Sequence, residues 1–127
     1  MPRLNEVMTS EVFVTPPSAR LAEVAASMLR GRFGSAVVME GSMLLGIFTE
    51  RDVLRAAAAG ADLTAAKVSE WMTEDPVTAT PDMDTDDATE TMVSQGFRHL
   101  PVVDGRTVVG IVSLRDIMRT RVRRSAS

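Results

Sequence analysis

Residues 46–52 read GIFTERD, and residues 110–116 read GIVSLRD. In each stretch an apolar pair leads from a glycine to a hydroxyl residue, and an arginine and an aspartate follow. The agreement extends outward, because residues 6–56 can be laid over residues 70–120 without a gap, and thirteen positions are then identical. An internal repeat of this kind predicts two similar units, which we expect to pack about a pseudo-two-fold axis.

The identical positions include glycines, charged residues and apolar residues. They are Glu6/Glu70, Met8/Met72, Thr9/Thr73, Pro17/Pro81, Met28/Met92, Phe33/Phe97, Val38/Val102, Gly41/Gly105, Gly46/Gly110, Ile47/Ile111, Arg51/Arg115, Asp52/Asp116 and Arg55/Arg119. Whatever one copy binds therefore has a counterpart position in the other.

The first half of each copy predicts a strand followed by a helix. The strand lies at residues 12–15 in one copy and 77–80 in the other. A proline and a capping residue, Pro17-Ser18 and Pro81-Asp82, then mark the start of a helix. Short helical lead-ins are expected before the two copies, at Leu4–Met8 and Val68–Met72.

The second half of each copy predicts a hairpin and a closing helix. An acidic residue followed by glycine separates two β-rich runs at residues 40–41 and again at 104–105, which is a strong hairpin signal. The closing helices are expected at Glu50–Ala59 and Leu114–Arg124. The predicted fold class is α+β, with two tandem β-α-β-β-α repeats.

We divide the sequence into residues 1–60 as repeat 1, residues 61–69 as a connector and residues 70–127 as repeat 2. Each copy is too small to be very stable alone, and the absence of cysteine excludes disulfides and thiolate metal sites as a remedy. We therefore expect the copies to support each other. No signal peptide or apolar run of roughly 20 residues is visible, so we expect a cytoplasmic protein without a membrane segment.

Two charged clusters each have two interpretations. The acidic residues of copy 2 are either the first turn of a helix or a divalent-metal site, and they are Asp82, Asp84, Asp86, Asp87 and Glu90. The basic residues at the end are either a frayed helix end or a weak contact for RNA or an acidic partner, and they are Arg119, Arg121, Arg123 and Arg124. A net charge of −3 argues against a dedicated nucleic-acid binder.

The repeated motif can serve helix capping. Thr49 and Ser113 suit the N-cap position, and an aspartate three residues later completes a capping-box-like pair. Capping does not require Arg51 and Arg115, nor a glycine that lets another group approach the strand. A helix N-terminus with a hydroxyl and an arginine is a natural phosphate site, and an adjacent Asp52 or Asp116 can accept ribose hydroxyls.

The order of elements and the doubled pattern, each time after an acidic-Gly hairpin, resemble a tandem pair of CBS (cystathionine β-synthase) domains, or Bateman module, over about residues 6–120. The resemblance implies packed sheets with helices outside. It also implies adenosine-containing ligands between the sheets: AMP, ADP or ATP, or else NAD or S-adenosylmethionine.

The resemblance assigns roles to particular residues. Asp52 and Asp116 would hold ribose hydroxyls, and Thr49 and Ser113 would lie near the phosphates or the ribose. The adenine pocket would be walled by residues of the opening strands and of the hairpins, which are Thr15, Thr78, Val38 and Val102.

The two sites are not expected to be equivalent. Copy 2 has Arg98-His99 where copy 1 has Gly34-Ser35, and related modules use basic residues here against phosphates. His99 has two interpretations: it lies at the rim of the site, or it contacts the ligand. Which site gains from these residues does not follow from the sequence.

No catalytic function is expected, since the chain has no cysteine, a single histidine and no glycine-rich phosphate loop. The leading hypothesis is a nucleotide-binding regulatory module acting on a separate, unidentified protein, and the alternative is a ligand-free dimerisation scaffold. Six helix residues make their helices more apolar than a small core needs, namely Met28, Leu29, Val53, Leu54, Ile117 and Met118. The family that the chain resembles pairs into dimers through these helices, so a homodimer is expected.

Overall fold

The computed structural model describes residues 2–126, with side chains described as far as residue 123. Arg124 of the predicted basic end therefore lies outside the described side chains. In chain order the elements are α1 (Leu4–Val7), β1 (Val14–Thr15), α2 (Leu21–Gly31), β2 (Ser35–Glu40), β3 (Met43–Thr49), α3 (Glu50–Ala58), α4 (Val68–Trp71), β4 (Thr73–Glu74), α5 (Thr85–Gln95), β5 (His99–Asp104), β6 (Thr107–Ser113) and α6 (Leu114–Ala126). The α+β repeat predicted from the sequence is confirmed.

The chain forms two compact units, and neither consists of a single repeat. The repeat-1 unit is Phe13–Pro76, while the repeat-2 unit joins the residues up to Val12 to those from Val77 onward. The units therefore do not coincide with the stretches 1–60 and 70–127, whose bounds as sequence repeats stay a prediction. Each unit contains the body of one repeat and the lead-in helix that precedes the other.

Both predicted hairpins are confirmed. In β2–β3, Glu40 pairs with Met43, so Gly41 and Ser42 form a two-residue loop. Gly41 has a φ of 60°, a conformation that glycine adopts without steric cost. The β5–β6 hairpin repeats this turn, and both hairpins have a register irregularity after the identical Val38 and Val102.

Strands on either side complete each sheet, more fully in the repeat-1 unit. There, β1 runs parallel to β2, and β4 runs antiparallel to β3. In the repeat-2 unit the same places are taken by single bridges, Ala79 to Val102 and Thr9 to Ile111. The strand predicted at residues 77–80 is thus reduced to one bridge.

The lead-in helices are buried in the unit of the opposite repeat. Val68 of α4 is fully buried in the core of the repeat-1 unit with Leu21 and Phe48. Leu4 of α1, its counterpart 64 residues earlier, is fully buried in the core of the repeat-2 unit with Met92. The helices themselves were predicted, whereas this exchange was not, because only contacts distant in sequence determine it.

The first long helix of each repeat begins later than predicted. Helix α2 begins at Leu21 and has no side-chain cap, since the N–H groups of Leu21 and Ala22 donate to the carbonyls of Ala66 and Leu63. The connector thus satisfies the free donors that a capping side chain would otherwise take. For this reason the prediction that Ser18 caps α2 is wrong. The prediction that Asp82 caps α5 is also wrong, because Asp84 takes the N-cap position there.

The expected apolar helix faces are only partly exposed. Met28 and Ile117 belong to the cores of their units, and Val53 is half-buried. Leu29 and Leu54 are 83% and 68% exposed. Their counterparts 64 residues on, Val93 and Met118, are also exposed.

Candidate functional site

The start of α3 carries a complete capping box. The backbone N–H of Thr49 donates to Oδ2 of Asp52 at 2.9 Å, and the N–H of Asp52 donates to the Thr49 hydroxyl at 3.4 Å. That hydroxyl also lies 3.3 Å from Oδ2 of Asp52. The capping role predicted from the sequence is confirmed, and it occupies one oxygen of the Asp52 carboxylate.

The second oxygen of Asp52 is bound by an arginine of the same helix. Nη1 of Arg55 donates to Oδ1 of Asp52 at 2.8 Å, and the guanidinium of Arg55 lies 5.7 Å from the ring centroid of Trp71. The Asp52 side chain is 8% exposed and that of Arg55 is 57% exposed. Both oxygens of this carboxylate therefore accept hydrogen bonds from the protein.

The start of α6 repeats the capping box but leaves the carboxylate more open. The N–H of Asp116 donates to the Ser113 hydroxyl at 3.0 Å, and the N–H of Ser113 lies 3.3 Å from Oδ2 of Asp116. Asp116 is half-buried. Among the side chains described, up to residue 123, none donates to Oδ1 of Asp116, so that oxygen is available to a ligand donor.

Arg51 and Arg115 occupy the middle of each motif. Both are exposed, and within residues 2–123 neither makes a hydrogen bond or an ion pair. Each stands in the first turn of its helix, where the helix dipole favours an anion. The N–H groups of the residues on either side of each arginine already donate within the protein. These two side chains can therefore reach a phosphate without breaking an existing contact.

The motif glycines have a structural explanation. A Cβ on Gly46 would lie 2.6 Å from the carbonyl oxygen of Thr73, and one on Gly110 would lie 2.9 Å from that of Thr9. The group that approaches each glycine is thus the backbone that follows a lead-in helix. The expectation that another group approaches each glycine closely is thereby confirmed, and that group is protein backbone.

Of the residues predicted to wall the adenine pocket, three are buried and one is exposed. Val38 and Val102 are fully buried in the cores of their units, and Thr15 pairs with Val38 and is buried. Thr78 is exposed and lies one residue before the bridge formed by Ala79. Ala79, not Thr78, is therefore the counterpart of Thr15, and the matching of residues 12–15 with 77–80 was displaced by one position.

Arg98 and His99 lie beside the start of α6 in their own unit. His99 pairs with Ser113 across the hairpin, and the carbonyl of Arg98 accepts from the N–H of Leu114 at 2.9 Å. The Arg98 side chain is exposed, and His99 is half-buried. The fold of this unit thus brings Arg98 and His99 to the same end of the hairpin as the motif of Asp116.

Three residues of the acidic cluster of copy 2 surround the start of a helix, while Asp82 precedes it and Glu90 lies beyond its first turn. Oδ1 of Asp84 accepts from the N–H of Asp86 at 2.8 Å, while Asp86 and Asp87 lie in the first turn of α5. Asp82 accepts from the Thr80 hydroxyl at 2.8 Å, which lowers the pKa of Asp82. In the described part of the chain, no group of three or more acidic, histidine or cysteine side chains could hold a metal ion.

Of the helices in the described residues, none is both long enough and apolar enough to cross a bilayer.

Both repeats match a model of the same sequence family. The family model described as CBS domain matches residues 4–59 and 68–123. The chain belongs to the CBS-domain family. The resemblance noted in the motifs is thereby confirmed across nearly the whole sequence.

Similar CBS proteins include short bacterial and archaeal chains. The CBS domain-containing protein YhcV of Bacillus subtilis is 36% identical and is matched over 92% of this chain and 84% of its own length. An uncharacterised 17.7 kDa protein of Acidianus ambivalens is also 36% identical, over 92% of this chain and 71% of its own.

Solved CBS structures share the fold closely. The CBS-domain protein ATU1752 of Agrobacterium tumefaciens superposes with a TM-score of 0.88 at 30% identity and covers 94% of this chain and 99% of its own. The CBS domain pair of protein MJ0100 has a TM-score of 0.89 at 25% identity, over 98% of each chain, and was crystallised with 5′-methylthioadenosine and S-adenosyl-L-methionine.

One functional candidate was missed by sequence reasoning within this CBS pair. Arg55 was recognised as identical to Arg119 but was not included among the site residues. Its spacing of three residues from Asp52 places both side chains on one helix face, which was a usable signal. The contact with Trp71 could not be predicted, since that residue follows the connector.

Proposed function

We propose that this CBS pair is a regulatory module that binds an adenosine-containing ligand and acts on a separate protein. The observation that carries the proposal is the start of α6. There, among the described side chains, Oδ1 of Asp116 accepts no hydrogen bond and the guanidinium of the adjacent Arg115 has no partner. A carboxylate oxygen can accept from ribose hydroxyls, while the guanidinium and the helix N-terminus suit a phosphate. Ser113, Arg98 and His99 extend this candidate site.

The ligand we propose is AMP, ADP or ATP, with NAD and S-adenosylmethionine as further members of the same chemical class. The crystallised complex of MJ0100 with two adenosine compounds supports the adenosine moiety. The exposed arginines of both motifs support a phosphate-bearing ligand over an uncharged one. No catalytic step is part of this proposal: ligand binding would change the preference between two conformations, which requires different affinities for them.

The test is calorimetry and thermal denaturation with AMP, ADP, ATP, NAD, S-adenosylmethionine and 5′-methylthioadenosine. We expect at least one of them to stabilise the wild type and Asp116→Ala to abolish or strongly weaken its binding. Because the Asp116 carboxylate also caps α6, the variant is compared with Asp84→Ala, which removes the N-cap of α5 in the same unit at a cost of about 1 kcal/mol but leaves Asp116 in place. If none of the six compounds binds the wild type, the sensor proposal is wrong.

A ligand-free dimerisation scaffold is the second candidate, and the exposed apolar residues favour it. Leu29 and Leu54 in one unit and Val93 and Met118 in the other repeat at the same spacing. Exposed large side chains at matched positions are typical of an interface. We propose a homodimer formed through these helices, compatible with either function, and its test is the oligomeric state.

A further inference from the structure

The Arg55 side chain makes two contacts, and both lie at the candidate site of the repeat-1 unit. Its Nη1 binds Oδ1 of Asp52, and its guanidinium lies over the ring of Trp71. Trp71 belongs to α4, which packs against this unit and contributes Val68 to its core. The arginine is therefore oriented by an aromatic surface that the other repeat's lead-in helix provides.

The equivalent arrangement is absent from the described side chains of the repeat-2 unit. Arg119 occupies the position of Arg55, but it makes no hydrogen bond or ion pair among the side chains up to residue 123. The counterpart of Trp71 is Val7 of α1. Valine has no aromatic face on which a guanidinium could stack, so Arg119 lacks the surface that orients Arg55.

We infer that Arg55, positioned by Trp71, competes with a ligand for Asp52 and makes the motif of the repeat-1 unit the weaker of the two adenosine sites. A ribose hydroxyl that is to bind Oδ1 of Asp52 has to displace a charge-assisted hydrogen bond. At Asp116 the same hydroxyl meets an oxygen that accepts no hydrogen bond from the side chains up to residue 123. This inference rests on the proposed function and specifies which carboxylate the ligand uses first.

The decisive variant is Arg55→Met, which keeps an unbranched apolar side chain on α3 and removes the competing donor. Calorimetry of the full chain with ATP, AMP and 5′-methylthioadenosine should show binding to the Asp52 motif strengthened by about three- to tenfold, the strength expected of one exposed ion pair with a cation–π contact. Where the wild type shows one binding event, a second one should appear. The matched variant Arg119→Met should produce neither change.

Three results would overturn the inference while leaving the proposed function intact. The first is two equal sites in the wild type. The second is Arg55→Met binding with unchanged affinity and stoichiometry. The third is weakened binding in Arg55→Met, which would make Arg55 a ligand contact. Absence of binding of all six adenosine compounds to the wild type overturns the proposed function itself, and the inference with it.

The part assigned to Trp71 is tested separately, because Trp71 acts only through Arg55. Trp71→Val, which copies the residue of the other repeat, should strengthen binding at Asp52 in the same direction as Arg55→Met. Trp71→Phe retains an aromatic face and should restore the affinity of the wild type. If valine and phenylalanine at this position give the same affinities at matched thermal stability, Trp71 has no positioning role.

Discussion

The backbone of Gly46 lies so close to Thr73 that a Cβ at residue 46 would stand 2.6 Å from the Thr73 carbonyl oxygen. The contact joins β3 to β4, which pairs with it, and Gly110 repeats it with Thr9. In both repeats, packing between a hairpin and a lead-in segment therefore explains why the glycine is the same. The same packing explains why the methionine and the threonine that approach the glycine are identical in the two repeats.

We expect Gly46→Ala and Gly110→Ala each to lower the free energy of unfolding by about 1–3 kcal/mol, because the obstacle is backbone and cannot rotate away. Chemical denaturation measures this cost. Gly60→Ala is the comparison, since Gly60 has a φ of 78° and open space around it. That variant should lose about 1 kcal/mol from conformation alone. Losses at residues 46 and 110 no greater than at residue 60 would contradict the proposed close packing.

Arg115 should discriminate phosphate-bearing ligands from uncharged ones. If ATP or AMP binds at the start of α6, Arg115→Ala should weaken it by about tenfold or more through loss of a charge-assisted hydrogen bond. Binding of 5′-methylthioadenosine, which has no phosphate, should change little. Arg123→Ala, an exposed arginine farther along the same helix, is the control. Equal weakening of both ligands by Arg115→Ala would argue against a phosphate contact.

The exposed apolar helix residues should control oligomeric state. Analytical ultracentrifugation of the wild type should show a homodimer, and Leu54→Glu should shift it toward monomer, because a charge buried in an apolar interface loses its hydration. Met43→Glu is the control, because it places the same charge at an exposed apolar residue. Met43 is 63% exposed but lies in the hairpin and not on a helix. A monomeric wild type, or dissociation caused equally by Met43→Glu, would contradict the helix interface.

Asp62 provides a local pH dependence. The hydroxyl and the N–H of Thr64 donate to Oδ1 of Asp62 at 2.6 and 3.0 Å, and these bonds lower the pKa of Asp62. Since the folded-state pKa lies below the unfolded one, the bonds favour the folded connector above the unfolded pKa. This contribution is lost as the pH falls through the folded pKa.

Carboxyl NMR titration should therefore show the pKa of Asp62 rising toward its ordinary value in Thr64→Val. The same variant should leave the pKa of Asp82 unchanged, because the hydroxyl that lowers the pKa of Asp82 belongs to Thr80. A pKa of Asp62 that does not respond to Thr64→Val would show that the hydrogen bond from the Thr64 hydroxyl does not lower it.

Much of the fold and the capping part of the candidate site could be predicted from the sequence, since both depend on residues near one another in the chain. The Glu40-Gly41 turn and the Thr49–Asp52 capping box were predicted and are observed. The start of α2 was missed because carbonyls of the connector cap it. The position of Thr78 was missed because strand register depends on the partner strand.

The sequence by itself determined that the chain is a doubled CBS unit. Each copy has a hairpin, a closing helix and an aspartate that belongs to the capping box of that helix. Hydrogen bonds between near neighbours are enough to specify these features. Only the tertiary structure decided that each lead-in helix joins the opposite repeat's unit, and that Trp71 thereby stands beside Arg55. Burial of Leu4 and Val68 and the space left by the two glycines produce that exchange, which no pattern within one copy encodes.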